Sequence, residues 1–138
     1  MTMGYDIYGV KAKTSTGEYF RNNVWWWREL WNYVCIIGQK ENILTNKDTY
    51  KGGHNGGEKI SKAKADKLAI ALQKSIDDGT AALYEKKIKA MIFIAENTNK
   101  NLEPGDPNRD WNDNYEFEVT NLKEFTDFVK DSGGFQIC

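Results

Sequence analysis

The residues best suited to chemistry lie together in Asn22-Asn23-Val24-Trp25-Trp26-Trp27-Arg28, where four of the five tryptophans, counting Trp31, fall within seven positions. An indole stacks on a planar ring and on cations. Unpaired backbone N–H groups in the first turn of a helix favour an anion such as phosphate. Arg28 could add a bidentate contact, and Asn22 and Asn23 could read polar edges. A nucleotide-like ligand satisfies all of these together. The competing structural reading has Trp25 covering a neighbouring loop and Arg28 paired with Glu29, Glu18 or an acidic residue of the last third.

A second group is Gly52-Gly53-His54-Asn55-Gly56-Gly57, which carries the single histidine. Glycine lets backbone approach a ligand and form anion-binding nests. The spacing matches neither a P-loop nor a dinucleotide fingerprint. His54 has the titration range of a general base, with Asn55 or Glu58 to orient it, and the competing reading is an exposed turn. No nucleophile–base order is identifiable. One histidine and no C-x-x-C leave no metalloenzyme pattern, so no cofactor is expected.

These side chains need elements to hold them. Tyr5–Val10 reads as a strand and Lys11–Tyr19 as a polar turn. Asn22 or Asn23 caps a helix to about Ile37, with Gly38 as its stop. At 100° per residue, Trp26 and Trp27 fall on the apolar arc and are expected core. Trp25 falls opposite, with Arg28, Glu29, Asn32 and Ile36. Glu41–Lys59 has no sustained period and reads as a long loop. Ser61 caps a second helix, Lys62–Asp77, with Ala65, Leu68, Ala69, Leu72 and Ile76 inward. Asp78-Gly79 ends it, and Thr80 caps a third, Ala81–Glu96, whose apolar face includes Leu83, Ala90 and Ile94. Thr98–Asn114 is a second loop and Tyr115–Val119 a weak strand. Asn121–Glu124 forms a capping box for a fourth helix that stops at Ser132-Gly133-Gly134, before a closing strand, Phe135–Cys138.

A chain of 138 residues, 40% hydrophobic with two prolines, reads as one globular domain large enough to fold without a disulfide or metal. The net charge of −1 argues against a DNA-coating protein. Lysines load the central helices and carboxylates the last third; these read first as solvated faces, with internal docking or head-to-tail self-association as the alternative uses. The lysines are not interleaved with aromatics, so nucleic-acid binding is poorly supported. Cys35 and Cys138 read as reduced thiols rather than a bridge. No stretch has transmembrane length, and the start is no signal peptide, which makes the cytoplasm the expected compartment.

The motifs Met3-Gly4-Tyr5-Asp6-Ile7-Tyr8-Gly9 and Gly17–Arg28 resemble a family of small uncharacterised proteins of phages, prophages and bacteria. Asn55-Gly56-Gly57, Asp78-Gly79-Thr80 and Ser132–Cys138 match more weakly, so the resemblance spans most of the chain. Where such relatives usually carry proline after Trp-Trp-Trp-Arg, this chain has Glu29, and the alignment to Met3-Gly4 suggests that Met1-Thr2 is an extension or an alternative start. The family carries no established activity, so the resemblance transfers no catalytic residue. It implies a phage accessory role in the host cytoplasm, with inhibition of a bacterial defence system as one form.

The expected fold is α+β, a single mainly helical domain with about four helices and short strands near the termini. The expected function is non-enzymatic binding of a nucleotide-like ligand by Asn22, Asn23, Trp25, Arg28, His54 and Asn55. A protein-interaction or inhibitor module that engages a host protein is the first alternative, and a small hydrolase with His54 as base the second. Homo-oligomerisation stays open.

Overall fold

A computed structural model describes residues 4–54 and 56–138. Asn55 and Met3 lie outside the described residues. The elements in chain order are β1 (Gly4–Gly9), β2 (Tyr19–Asn23), α1 (Val24–Lys40), α2 (Asn46–Gly52), β3 (Glu58–Ile60), α3 (Lys62–Asp77), α4 (Thr80–Asn99), α5 (Val119–Ser132) and β4 (Phe135–Ile137). Short 3-10 turns occupy Ser15–Gly17 and Trp111–Asn114. The fold is α+β, as expected, with α2 as a short fifth helix.

The strands form one antiparallel sheet in the order β2-β1-β4-β3. Strand alternation puts Ile7, Phe20, Ile60, Phe135 and Ile137 inward, all buried, while Tyr8 and Tyr19 stay on the wet face. There the Tyr19 hydroxyl donates to Asp6 (2.5 Å), and Arg21 pairs with the same carboxylate (3.2 Å). The central partners β1 and β4 come from opposite ends of the chain, and Asp6 and Cys138 exchange backbone hydrogen bonds (3.0 and 2.8 Å). Helices α1, α3 and α5 cover the inner face with Trp27, Leu30, Val34, Leu68, Leu72, Leu122, Phe125 and Phe128.

Several expectations are corrected. Tyr19–Asn23 is a strand rather than the end of a polar turn, because Phe20 supplies an inward anchor beside Phe125 (5.2 Å between centroids). Gly38 lies inside α1, which continues to Lys40. It is there to let Leu44 approach, since a Cβ on Gly38 would sit 2.6 Å from the Leu44 side chain. The supposed loop from Glu41 to Lys59 holds both α2 and β3. Thr45 caps α2 in a reciprocal box with Asp48, a signal too local to appear as periodicity.

In the last third, residues 115–118 form no strand; Phe117 is instead buried against Tyr33 and Tyr84. Helix α5 starts at Val119, earlier than the Asn121 box predicts. Its first turn is capped from another helix, the Val119 N–H donating to Glu85 of α4 (2.8 Å). Gly79, not Thr80, holds the cap position of α4. Leu83, Ala90 and Ile94 are exposed, so the inward face of α4 is narrower than its apolar composition suggests. Cys35 and Cys138 are both free thiols.

Candidate functional site

Trp27 and Trp31 are one turn apart on α1, so their side chains lie on one face. Their rings stack at 5.4 Å and 15°. Tyr5 of β1 stacks on Trp27 at 5.5 Å and 21°. The three polar tips converge on the C-terminal end of α2, whose last carbonyls have no partner inside the helix. Trp31 donates to the Thr49 carbonyl (2.9 Å), Trp27 to Gly52 (2.7 Å) and the Tyr5 hydroxyl to Gly53 (3.0 Å). The indole ring of Trp31 lies so close to Gly52 that a Cβ there would sit 1.8 Å from a ring carbon. Helix α2 therefore docks on this aromatic group through its glycines.

Beside the group opens a cleft of about 440 Å³, lined also by Arg28, Asn32, Cys35 and Gln39. That volume falls within the range of small-molecule sites. Arg28 is exposed and has no ion pair among the described residues. Asn32 donates to the Tyr84 hydroxyl (2.8 Å), and its carbonyl oxygen accepts no hydrogen bond among the described residues. Gln39 donates to Asn46 (2.8 Å) and ties α1 to the start of α2.

No family model, curated protein or solved structure matches this chain. The chemistry of the cleft follows from its own residues. Burial, reinforced by the Asp48 charge, pushes the Cys35 thiol up to about 12. A thiol held that high supplies almost no thiolate near neutral pH, so Cys35 is a poor nucleophile. Burial likewise pushes the nearby Tyr84 hydroxyl up to about 12. Among the described residues, no group of three or more acidic, histidine or cysteine side chains is placed to hold a metal ion. Arg28 is the one lysine or arginine that lines the cleft, and the Trp27 and Trp31 rings beside it are almost wholly buried.

The structure distributes the residues singled out in the sequence. Asn22 pairs side chain to side chain with Asn121, each amide donating to the other (3.1 and 2.9 Å), and so ties β2 to α5. Asn23 is the N-cap of α1, its oxygen accepting from the Trp25 and Trp26 N–H groups (both 3.1 Å). Two of the free donors expected to face an anion are thus already occupied. Trp25 is half-buried, edge-on to Tyr115 at 5.1 Å and 73°, and covers the loop after α4. Trp26 is half-buried rather than core, and only Trp27 of the three is fully enclosed. Arg28 alone of the group lines the cleft.

His54 is exposed, packs on Tyr50 at 4.1 Å, and its Nδ1 lies 3.0 Å from the Tyr50 carbonyl. Neither His54 nor Trp25 lines the cleft, whereas the adjacent Gly52 and Gly53 do. Sequence reading passes over Tyr5, Trp31 and Asn32 as site residues. The i, i+4 spacing of Trp27 and Trp31, and of Arg28 and Asn32, is the signal that could have found them.

Proposed function

We propose that this protein is a non-enzymatic binding protein whose cleft holds a nucleotide-like ligand. The observation that carries the reading is Arg28, an unpaired guanidinium at the mouth of a cleft walled by Tyr5, Trp27 and Trp31. A guanidinium there suits a phosphate, and of the rings only Tyr5, which is half-buried, keeps surface for a planar base, since Trp27 and Trp31 are 1% and 5% exposed. The free carbonyl oxygen of Asn32 would accept from an amino group of that base. The resemblance to phage proteins extends the proposal to counter-defence, with a host nucleotide signal as the molecule sequestered.

Thermal shift and calorimetry against a panel of cyclic and ADP-ribose-type nucleotides test this. A ligand at one hundred times its Kd stabilises by about 2.7 kcal/mol, a melting rise of roughly 8 °C for a domain of this size. Arg28→Ala abolishes the response, and Trp25→Ala leaves ligand affinity unchanged. No response to any member of the panel, or an Arg28→Ala variant that binds like wild type, sinks the reading.

A further inference from the structure

Helix α2 lies against the stacked tryptophans with no apolar anchor of its own. Within it only Asp48 and Gly52 are buried, and its one ring, Tyr50, is 62% exposed. Each of α1, α3, α4 and α5 buries four or more apolar side chains. Polar contacts hold α2 instead. Trp31, Trp27 and Tyr5 donate to the carbonyls at its C-terminal end. Lys64 of α3 bonds Asp48 (2.5 Å), Gln39 of α1 reaches Asn46, and Lys51 donates to the Lys59 carbonyl of β3 (3.0 Å). A helix this short does not persist without such contacts.

The chain is fastened to the body just outside α2. Upstream, the Ile43 and Leu44 N–H groups donate to the Gly38 carbonyl (2.7 and 3.1 Å), and Leu44 is buried. Downstream, the Gly57 N–H donates to the Ile137 carbonyl (2.8 Å). Departure of α2 would leave both attachments in place and bare one ring in particular. A Cβ on Gly52 would sit 1.8, 1.9 and 2.4 Å from Cε2, Nε1 and Cδ2 of Trp31. Cε2 and Cδ2 form the bond that fuses the two indole rings. That bond is reached at such distances only from above, so Gly52 stands over the face of the indole. The backbone of α2 thus occupies a surface on which a planar group would stack.

We infer that α2 is a lid over Trp31. It detaches as a unit while α1, α3 and the sheet stay folded, and opening adds the indole face of Trp31 to the cleft beside Arg28. Local opening falls to segments with few buried apolar contacts, and α2 is the helix that buries no apolar side chain. Lys64 is its latch. Without Lys64, the buried Asp48 charge keeps only Lys51 of its own helix (3.4 Å), a state relieved by lifting α2 into water. The lid is a property of the unliganded chain, whereas what stacks on the opened face rests on the nucleotide reading.

Hydrogen exchange followed by NMR on the full, unliganded chain tests this. The indole N–H groups of Trp27 and Trp31 and the amides of Thr49 and Gly53 all bond within α2 or to its end, so one opening releases all of them. They are expected to share one opening constant, about a hundredfold or more above that of the Val34 amide in α1. That constant should be insensitive to about 1 M urea, because little surface is exposed. Lys64→Met raises it about tenfold or more. Tyr5→Phe, which keeps the ring stack and loses the bond to Gly53, raises it about threefold. Val34 exchanges as in the wild type in both variants. Three results overturn the inference: exchange of the four groups with the constant and urea slope of Val34, four unrelated constants, or a Lys64→Met chain that exchanges like wild type. With no nucleotide present, a chain that opens yet ignores the nucleotide panel keeps the lid and loses the ligand. A chain that binds a nucleotide without opening does the reverse.

Discussion

Gly52 and Trp31 show how a single atom sets this site. A methyl group at Gly52 would enter the indole ring, and the ring is held in place by its own hydrogen bond to Thr49. Gly52→Ala is expected to cost about 1–3 kcal/mol, the usual range for overpacking, read as a lower urea midpoint and a shifted tryptophan emission. Asp48 is the other decisive residue. Burial works against its charge, but hydrogen bonds from Lys64 (2.5 Å) and Thr45 outweigh that and hold its carboxyl at about 2, against an ordinary 3.8. A folded-state pKa below the unfolded one gives stability that is complete above the unfolded value and lost as pH falls through the folded one. Wild-type stability therefore declines from about pH 4 towards about pH 2, and Asp48→Asn, less stable at neutral pH, loses that part of the slope in pH-dependent urea titrations. Tyr33 is the opposite case. Among the described residues its buried hydroxyl makes no well-formed hydrogen bond, and the nearby Ser75 hydroxyl donates instead to Leu72 (2.7 Å). Removing an unpaired buried polar group relieves a desolvation penalty of about 1–3 kcal/mol, so Tyr33→Phe is expected to raise the melting temperature.

At the level of elements, α1 is the axle of the molecule. Its start depends on Asn23, and removing such a cap costs about 1 kcal/mol. Asn23→Ala should therefore lower stability by about that amount in denaturant titration, and Asn23→Asp should restore most of it. The helix then sends its three successive tryptophans in different directions. Trp25 reaches Tyr115 in the loop between α4 and α5, and Trp27 reaches α2 and β1. Trp25→Ala is expected to loosen residues 100–118, seen as faster hydrogen exchange there with protection of the sheet unchanged. The period of α1 was legible, since only the angle between neighbours was needed to separate Trp25 from Trp27. Helix α2 was not, because seven residues capped by Thr45 and closed by glycine carry too little pattern. It is stable through Trp27, Trp31 and Tyr5, which come from elsewhere in the chain.

At the scale of the molecule, the sheet is closed by the last strand to be made. β4 lies between β1 and β3 and buries Phe135 and Ile137 completely. Truncation before Phe135 should abolish the cooperative thermal transition, because two strands would lose their partner and the core two of its anchors. Charge is organised at this scale too. Part of the acidic last third is docked internally, as in Lys89 with Glu118 (3.7 Å).

The sequence by itself determined the long helices, most of the inward faces of α1, α3 and α5, the Ser61 cap and the closing strand, and it narrowed the first cap to Asn22 or Asn23. Each of these follows from local periodicity or capping chemistry, which needs no knowledge of distant neighbours. It also placed Arg28 among the candidate binding residues, and Arg28 lines the cleft. Only the tertiary structure decided that Asn22 and Trp25 are occupied by the protein itself, and that the cleft is lined instead by Tyr5, Trp27, Trp31 and Asn32. Those assignments rest on contacts between residues 18 to 99 positions apart, such as Trp31 with Thr49 and Asn22 with Asn121. Side-chain hydrogen bonds and ring stacking of that range leave no trace in a local pattern.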